Sequence, residues 1–158
     1  MNITINVQGL DELIDQLDAY RDSLPRRTDE LCRRLAEYGL VLADASFSGA
    51  AYDGPKDVNV TVEPIDNGYR IVADGSTILI LEFGAGVTYG YGHPNPGPYG
   101  PGTYPSTKGH WNDPNGWYLP KSAGGGHTWG NPPSMTMYNT AKDIQREIES
   151  IAREVFGA

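Results

Sequence analysis

Ile3, Ile5 and Val7 alternate with Asn2, Thr4 and Asn6 at the start of the chain. That is the period of a half-buried β-strand, and Gly9 ends it. From Leu10 the period lengthens. Leu10, Leu13, Ile14, Leu17 and Tyr20 recur at three- and four-residue spacing with carboxylates between them, which predicts a short amphipathic helix. Ser23-Leu24-Pro25 then supplies a cap and an early proline, so a second helix is expected to open there. Its buried side would run through Leu31, Cys32, Leu35, Leu40, Leu42 and Ala43 to about Phe47, with Gly49 as the stop.

Period two returns at Val58, Val60 and Val62, which alternate with Asn59, Thr61 and Glu63 ahead of Asp66-Asn67-Gly68. A type I′ turn at Asn67-Gly68 would pair Asp66 with Tyr69, Pro64 with Ile71, and Val62 with Ala73. That register places Val58, Val60, Val62, Ile71 and Ala73 on one face and Thr61, Glu63 and Arg70 on the other, so turn chemistry and pattern agree. After Asp74-Gly75-Ser76, the run from Thr77 to Phe83 is apolar on both faces until Glu82 and reads as an interior strand. Near the C-terminus, Met137, Tyr138, Ala141, Ile144, Ile148, Ile151, Val155 and Phe156 predict a long helix behind Pro132-Pro133. Its other face, with Lys142, Asp143, Arg146, Glu147, Glu149, Arg153 and Glu154, reads as solvated.

These elements give an α+β fold: a small antiparallel sheet of about four strands packed against N-terminal helices and a long C-terminal helix. Residues 84–131 break the pattern. They hold all three tryptophans, all three histidines and most of the glycine, and read as an extended Gly/Pro/aromatic loop with a short extra strand around Gly116 to Lys121. The 158 residues suit one domain, 1–158.

Composition narrows the functions. A net charge of −8 disfavours ordinary binding to nucleic-acid phosphates. Cys32, the sole cysteine, excludes an internal disulfide and reads as a buried thiol. No apolar run approaches the ~20 residues that span a bilayer, and no leader pattern precedes the first strand, so a protein made and kept in the cytosol is expected.

Few residues offer chemistry. Glu82, at the end of the most apolar run in the chain, is open to three readings: catalytic acid, metal ligand, or structural residue that ties down the following turn. His93, His110, His127 and Asp113 include metal-ligating types, but no two sit at the short spacing that presents ligands together. Glu82 and Asp113 could be drawn as a glycosidase pair, although nothing in the sequence fixes their separation. Signatures of serine hydrolases, phosphate loops and zinc proteases are lacking. Gly124-Gly125-Gly126 reads as a linker, and Trp111 to Trp117 as an Asx and glycine turn rather than a calcium loop. The aromatics of the loop suit a protein interface or a carbohydrate platform, or they anchor the loop to its own domain.

The order of short strand, helix pair, hairpin, ILEFGAG, glycine-rich loop and GNPPSMTMYNTA resembles the HK-ninety-seven-type tail-component family of tailed bacteriophages, often carried in prophages. The likeness runs over nearly the whole chain. Its most specific parts are Leu81-Glu82-Phe83-Gly84-Ala85-Gly86 and Gly130-Asn131-Pro132-Pro133 followed by Met137, Tyr138 and Ala141. Pro133 stands where the family often has a small residue, and Ala85 where it often has Thr.

The resemblance implies a virion protein made in the host cytoplasm and built into the neck between head and tail. It also implies a homo-oligomeric ring in contact with other neck and tail proteins, with no enzymatic activity, cofactor, metal or membrane. DNA would pass without specific binding, and acidic groups facing the channel would repel its phosphates; tight binding to duplex DNA would sink that expectation. The expected partner contacts are Glu82, Phe83, Tyr89, Tyr91, Tyr99, Tyr104, Trp111, Trp117, Tyr118 and Trp129. The alternatives are a carbohydrate-binding module built on the aromatic loop and, third, a metal-assisted hydrolase. Within the ring reading, residues 88–126 would order on assembly. Glu82 becomes a structural residue that accepts turn N–H groups or pairs with Lys121 or Arg70.

Overall fold

The structure, a computed structural model, describes residues 9–52, 54–86, 94, 113–119 and 121–157. The strand predicted over 2–7 lies outside them. The elements are a helix α1 (Leu10–Gly49), a hairpin of β1 (Asn59–Ile65) and β2 (Gly68–Asp74), and a short helix α2 (Ile78–Phe83). A second small hairpin of β3 (Trp117–Tyr118) and β4 (His127–Thr128) precedes the last helix α3 (Thr136–Phe156). The mixed helix-and-sheet class is as expected. Among the described residues the strands form two separate two-stranded antiparallel sheets, not one sheet of four.

The predicted helix pair is one helix of 40 residues with Pro25 inside it. Proline removes one intrahelical donor, and Ser23 does not cap a new helix: its hydroxyl donates back to the Tyr20 carbonyl at 2.7 Å. Gly49 is the stop.

The α1 seam also differs from the predicted one. Ala36, Gly39, Ala43 and Phe47 are its buried residues, while Leu31, Cys32 and Leu35 are half-buried. Gly39 is the close approach, since a Cβ there would lie 2.5 Å from Ile144 Cδ1 of α3 and 2.5 Å from Ile71 Cδ1 of β2. Arg27 meets the last carbonyls of α3 and Ser46 meets Thr136 at its first turn, so α1 and α3 run antiparallel.

β1 pairs β2 as Ile65↔Gly68, Pro64↔Tyr69, Val62↔Ile71 and Val60↔Ala73. The turn is therefore Asp66-Asn67, and the observed register is displaced by two positions from the predicted one. Neither Asp66 nor Asn67 has a positive φ, which excludes the type I′ turn; Gly68, with φ 141°, takes up the left-handed step after it. A slip of two keeps every side chain on its face, so Val60 and Ala73 still point into the core, with Val58 and Ile71 beside them.

Thr77 to Phe83 is the largest departure: the predicted strand is the helix α2. A short apolar run has no period that separates strand from helix, and its neighbours decide. The Asp57 carboxylate accepts the N–H groups of Ser76 at 2.8 Å and Thr77 at 3.1 Å, which holds the start, and Gly84 N–H closes on the Ile80 carbonyl at 2.9 Å. Hydrogen bonds from the Ser76 and Thr77 side chains and backbone hold the Asp57 carboxyl far below the usual carboxylate range. Ala43, Phe47, Ala50, Val60 and Leu81 form the core above this turn.

Candidate functional site

α2 delivers Glu82 to the end of α3. The side chain is only 6 % exposed, and its two oxygens accept the backbone N–H groups of Met137 at 2.9 Å and Tyr138 at 3.1 Å. Those are second- and third-position donors of α3, the groups that a local Ser or Asp cap ordinarily satisfies. The local cap position is held by Met135, which makes no side-chain cap bond and sits at φ 53°, ψ 33°. Glu82 therefore supplies from a distant segment the cap that the local sequence lacks, and its negative charge suits the positive end of the helix dipole.

Around this contact, residues 80–86 and 130–138 are laced together. Asn131 and Ala85 exchange two backbone hydrogen bonds at 2.9 and 3.0 Å, and Asn131 Nδ2 donates to the Ile80 carbonyl at 3.0 Å. The N–H groups of Ser134 and Met135 bond the carbonyls of Leu81 and Glu82. A chain of hydroxyls completes the clasp: Ser134 donates to the Leu81 carbonyl at 2.8 Å, Thr136 lies 2.9 Å from Ser134, and Ser46 of α1 lies 2.8 Å from Thr136. Gly130 has φ 95°, and a Cβ there would overlap the Ala85 carbonyl oxygen, so this crossing needs glycine.

β3 and β4 sit beside the clasp, with the Trp117 ring against Gly86. Tyr118 and His127 are cross-strand partners, their rings 5.0 Å apart and edge-on, and Trp129 packs edge-on to His127 at 4.5 Å. With Tyr118 80 % exposed, these three rings make an exposed ridge with no flat common face.

Two further apolar surfaces face solvent. Leu10, Leu13, Ile14, Leu17 and Tyr20 are exposed along one side of α1. Elsewhere, α1, the first hairpin and α3 enclose an open apolar groove of about 400 Å³.

No family model, curated protein or solved structure matches the chain.

The predicted site residues separate into groups. Glu82 is internal and Phe83 and Trp117 are half-buried, whereas Tyr118 and Trp129 are exposed on the ridge. Tyr89, Tyr91, Tyr99, Tyr104 and Trp111 lie outside the described residues, as do His93 and His110. Of the two cations suggested for Glu82, Arg70 instead pairs with Glu63 at 2.6 Å. Cys32 is half-buried on the groove wall rather than in the core. Among the described residues no three His, Cys, Asp or Glu side chains converge on a common point, and no helix is long and apolar enough to cross a membrane. Sequence reasoning missed Ser46, Ser134 and Thr136; an isolated hydroxyl residue gives no sign in sequence of which distant hydroxyl it will meet.

Proposed function

We propose that this protein is a structural subunit of a tailed-phage virion, part of the neck that joins head to tail, and that it acts through protein contacts rather than chemistry. What supports the reading is the meeting of its two most specific sequence blocks. Leu81 to Gly86 and Gly130 to Pro133 resemble the tail-component family, and they are the two sides of the clasp joined at Ala85 and Asn131. The motif residues thus have a shared structural job, which suits a protein whose signature preserves a scaffold. Assembly as a ring with other neck and tail proteins is part of the proposal. Deleting the coding sequence from a lysogen that carries it should leave filled heads and finished tails that do not join. Normal yields of infectious particles from the deletion would overturn the reading.

A carbohydrate-binding module is the second reading, favoured by the exposed Tyr118, His127 and Trp129. Their edge-on packing offers less ring face to a sugar than a flat platform does. A glycan array separates the two readings: selective binding lost on Trp129→Ala would favour the module.

A further inference from the structure

α3 ends beside Arg27, whose guanidinium donates to the Val155 and Phe156 carbonyls at 3.3 and 2.8 Å. Residues 10–22 of α1 run on past that end, and every one of them is exposed. They amount to a helical rod of ~20 Å, and the Arg27 guanidinium lies 5.4 Å from the Tyr20 ring at its base. A free helix of this length is marginal in water, and this one presents Leu10, Leu13, Ile14, Leu17 and Tyr20 on one side, with Leu17 59 % exposed.

The groove is the complementary surface. Leu35, Ile65, Ile71, Ala141 and Ile144 line it, and Ile65 on its rim is 50 % exposed. Stripe and groove cannot meet within one molecule, because both belong in part to the same continuous helix, α1.

We propose that the α1 extension of one copy docks, stripe inward, along the groove of a second copy, head to tail. Charge selects this arrangement over pairing of two extensions. Residues 10–22 carry Asp11, Glu12, Asp15, Asp18 and Asp22 against Arg21 alone, so laying one extension on another sets two acidic rows side by side. Along residues 26–37, the stretch of α1 that borders the groove, the balance turns slightly positive: Arg26, Arg27, Arg33 and Arg34 stand against Asp29, Glu30 and Glu37. Arg33 and Arg34 share Glu30, and each has a second partner, Glu37 for Arg33 and Glu154 for Arg34; with their side chains 40 % and 42 % exposed, incoming carboxylates can join that network. A contact between two different patches leaves one stripe and one groove open at each end, so it propagates to a closed ring or a filament. The argument uses only surfaces of this chain and stands independently of the neck reading.

The test uses the full chain. Sedimentation over a concentration series to about 100 µM should show association that saturates if Kd is micromolar, and that weakens as salt rises. Leu13→Glu/Leu17→Glu removes the stripe and Ile65→Glu removes the groove rim; each should be monomeric alone. Mixed, they should form a one-to-one pair and no larger species, because one intact stripe meets one intact groove. As a check that does not depend on those variants folding, Leu17→Cys is oxidised mildly: the introduced thiol of one copy should couple to Cys32 of the next and give a ladder beyond dimer on a non-reducing gel. A monomeric wild type throughout the series overturns the proposal. So does a ladder that stops at dimer, or loss of association in the stripe variant alone, which would signal stripe-to-stripe pairing. Filling of the groove by a small apolar ligand with no association would equally overturn it.

Discussion

The carboxylate of Glu82 lies 2.9 Å from the backbone N–H of Met137, a residue 55 positions further along the chain. One side chain thereby does the work of a helix cap for a helix whose own cap position cannot. Glu82→Gln keeps one good acceptor and turns the other into a donor facing an N–H, so unfolding free energy should fall by about 1–2 kcal/mol in urea titration. Glu82→Ala, which leaves both donors buried without an acceptor, should lose about 2–4 kcal/mol. Equal stability of wild type and both variants would mean that water replaces the carboxylate.

Gly130→Ala tests the crossing itself. The substituted residue must leave φ 95° or push the Ala85 carbonyl aside, and either movement breaks the pair of bonds between Ala85 and Asn131. A loss of about 3 kcal/mol or more is expected, with faster amide exchange at Ala85 and Asn131. A loss below about 1 kcal/mol would show that the crossing has slack.

Asp57 makes a prediction about acid. Its folded carboxyl titrates below the ordinary value of 3.8, because Ser76 and Thr77 donate to the ionised form. A depressed carboxyl contributes stability that is fully present above the unfolded value and is lost as pH falls through the folded one. Wild type should therefore lose part of its stability as pH drops below about 4, and Asp57→Asn, already less stable at neutral pH, should lose less over the same interval. Parallel stability curves for the two proteins would remove Asp57 from the account.

Pro25 breaks no helix here, yet it withholds one hydrogen bond from α1. Pro25→Ala should raise helical circular dichroism and stabilise the protein by up to about 3 kcal/mol. An unchanged or lower melting temperature would mean that the proline ring makes a contact worth keeping.

Much of this architecture was legible from periodicity, and the failures have local causes. The hairpin faces came out right although the turn was misplaced, because alternation fixes parity while Asp66-Asn67 and Asn67-Gly68 both look like turns. α3 was legible because its apolar residues repeat along the whole of its 21 residues, with no competing pattern. α2 was not, since ILILEF is too short to show a period and its helical state rests on Asp57, 20 residues before Thr77. For Glu82 the sequence left two structural options, backbone N–H groups of the following turn or a cation at Lys121 or Arg70, and the donors are the N–H groups of Met137 and Tyr138. The end of a distant helix was not among the options, because sequence carries no record of which ends meet. Gly39 went unnoticed because a glycine inside a helix looks like a flaw until Ile71 and Ile144 are seen pressing against it.

The bridge between Ala85 and Asn131 has a bearing on how such a protein could change over generations. Two backbone hydrogen bonds hold Ala85 and Asn131 to each other, so the two ends of the chain between them stay fastened to α2 and α3 whatever its length. Closing a loop costs only about 0.6 kcal/mol more each time its length doubles. A change in the length of the chain between those residues therefore costs the fold little while the seam holds, much as a purse keeps its shape at the drawstring whatever it carries.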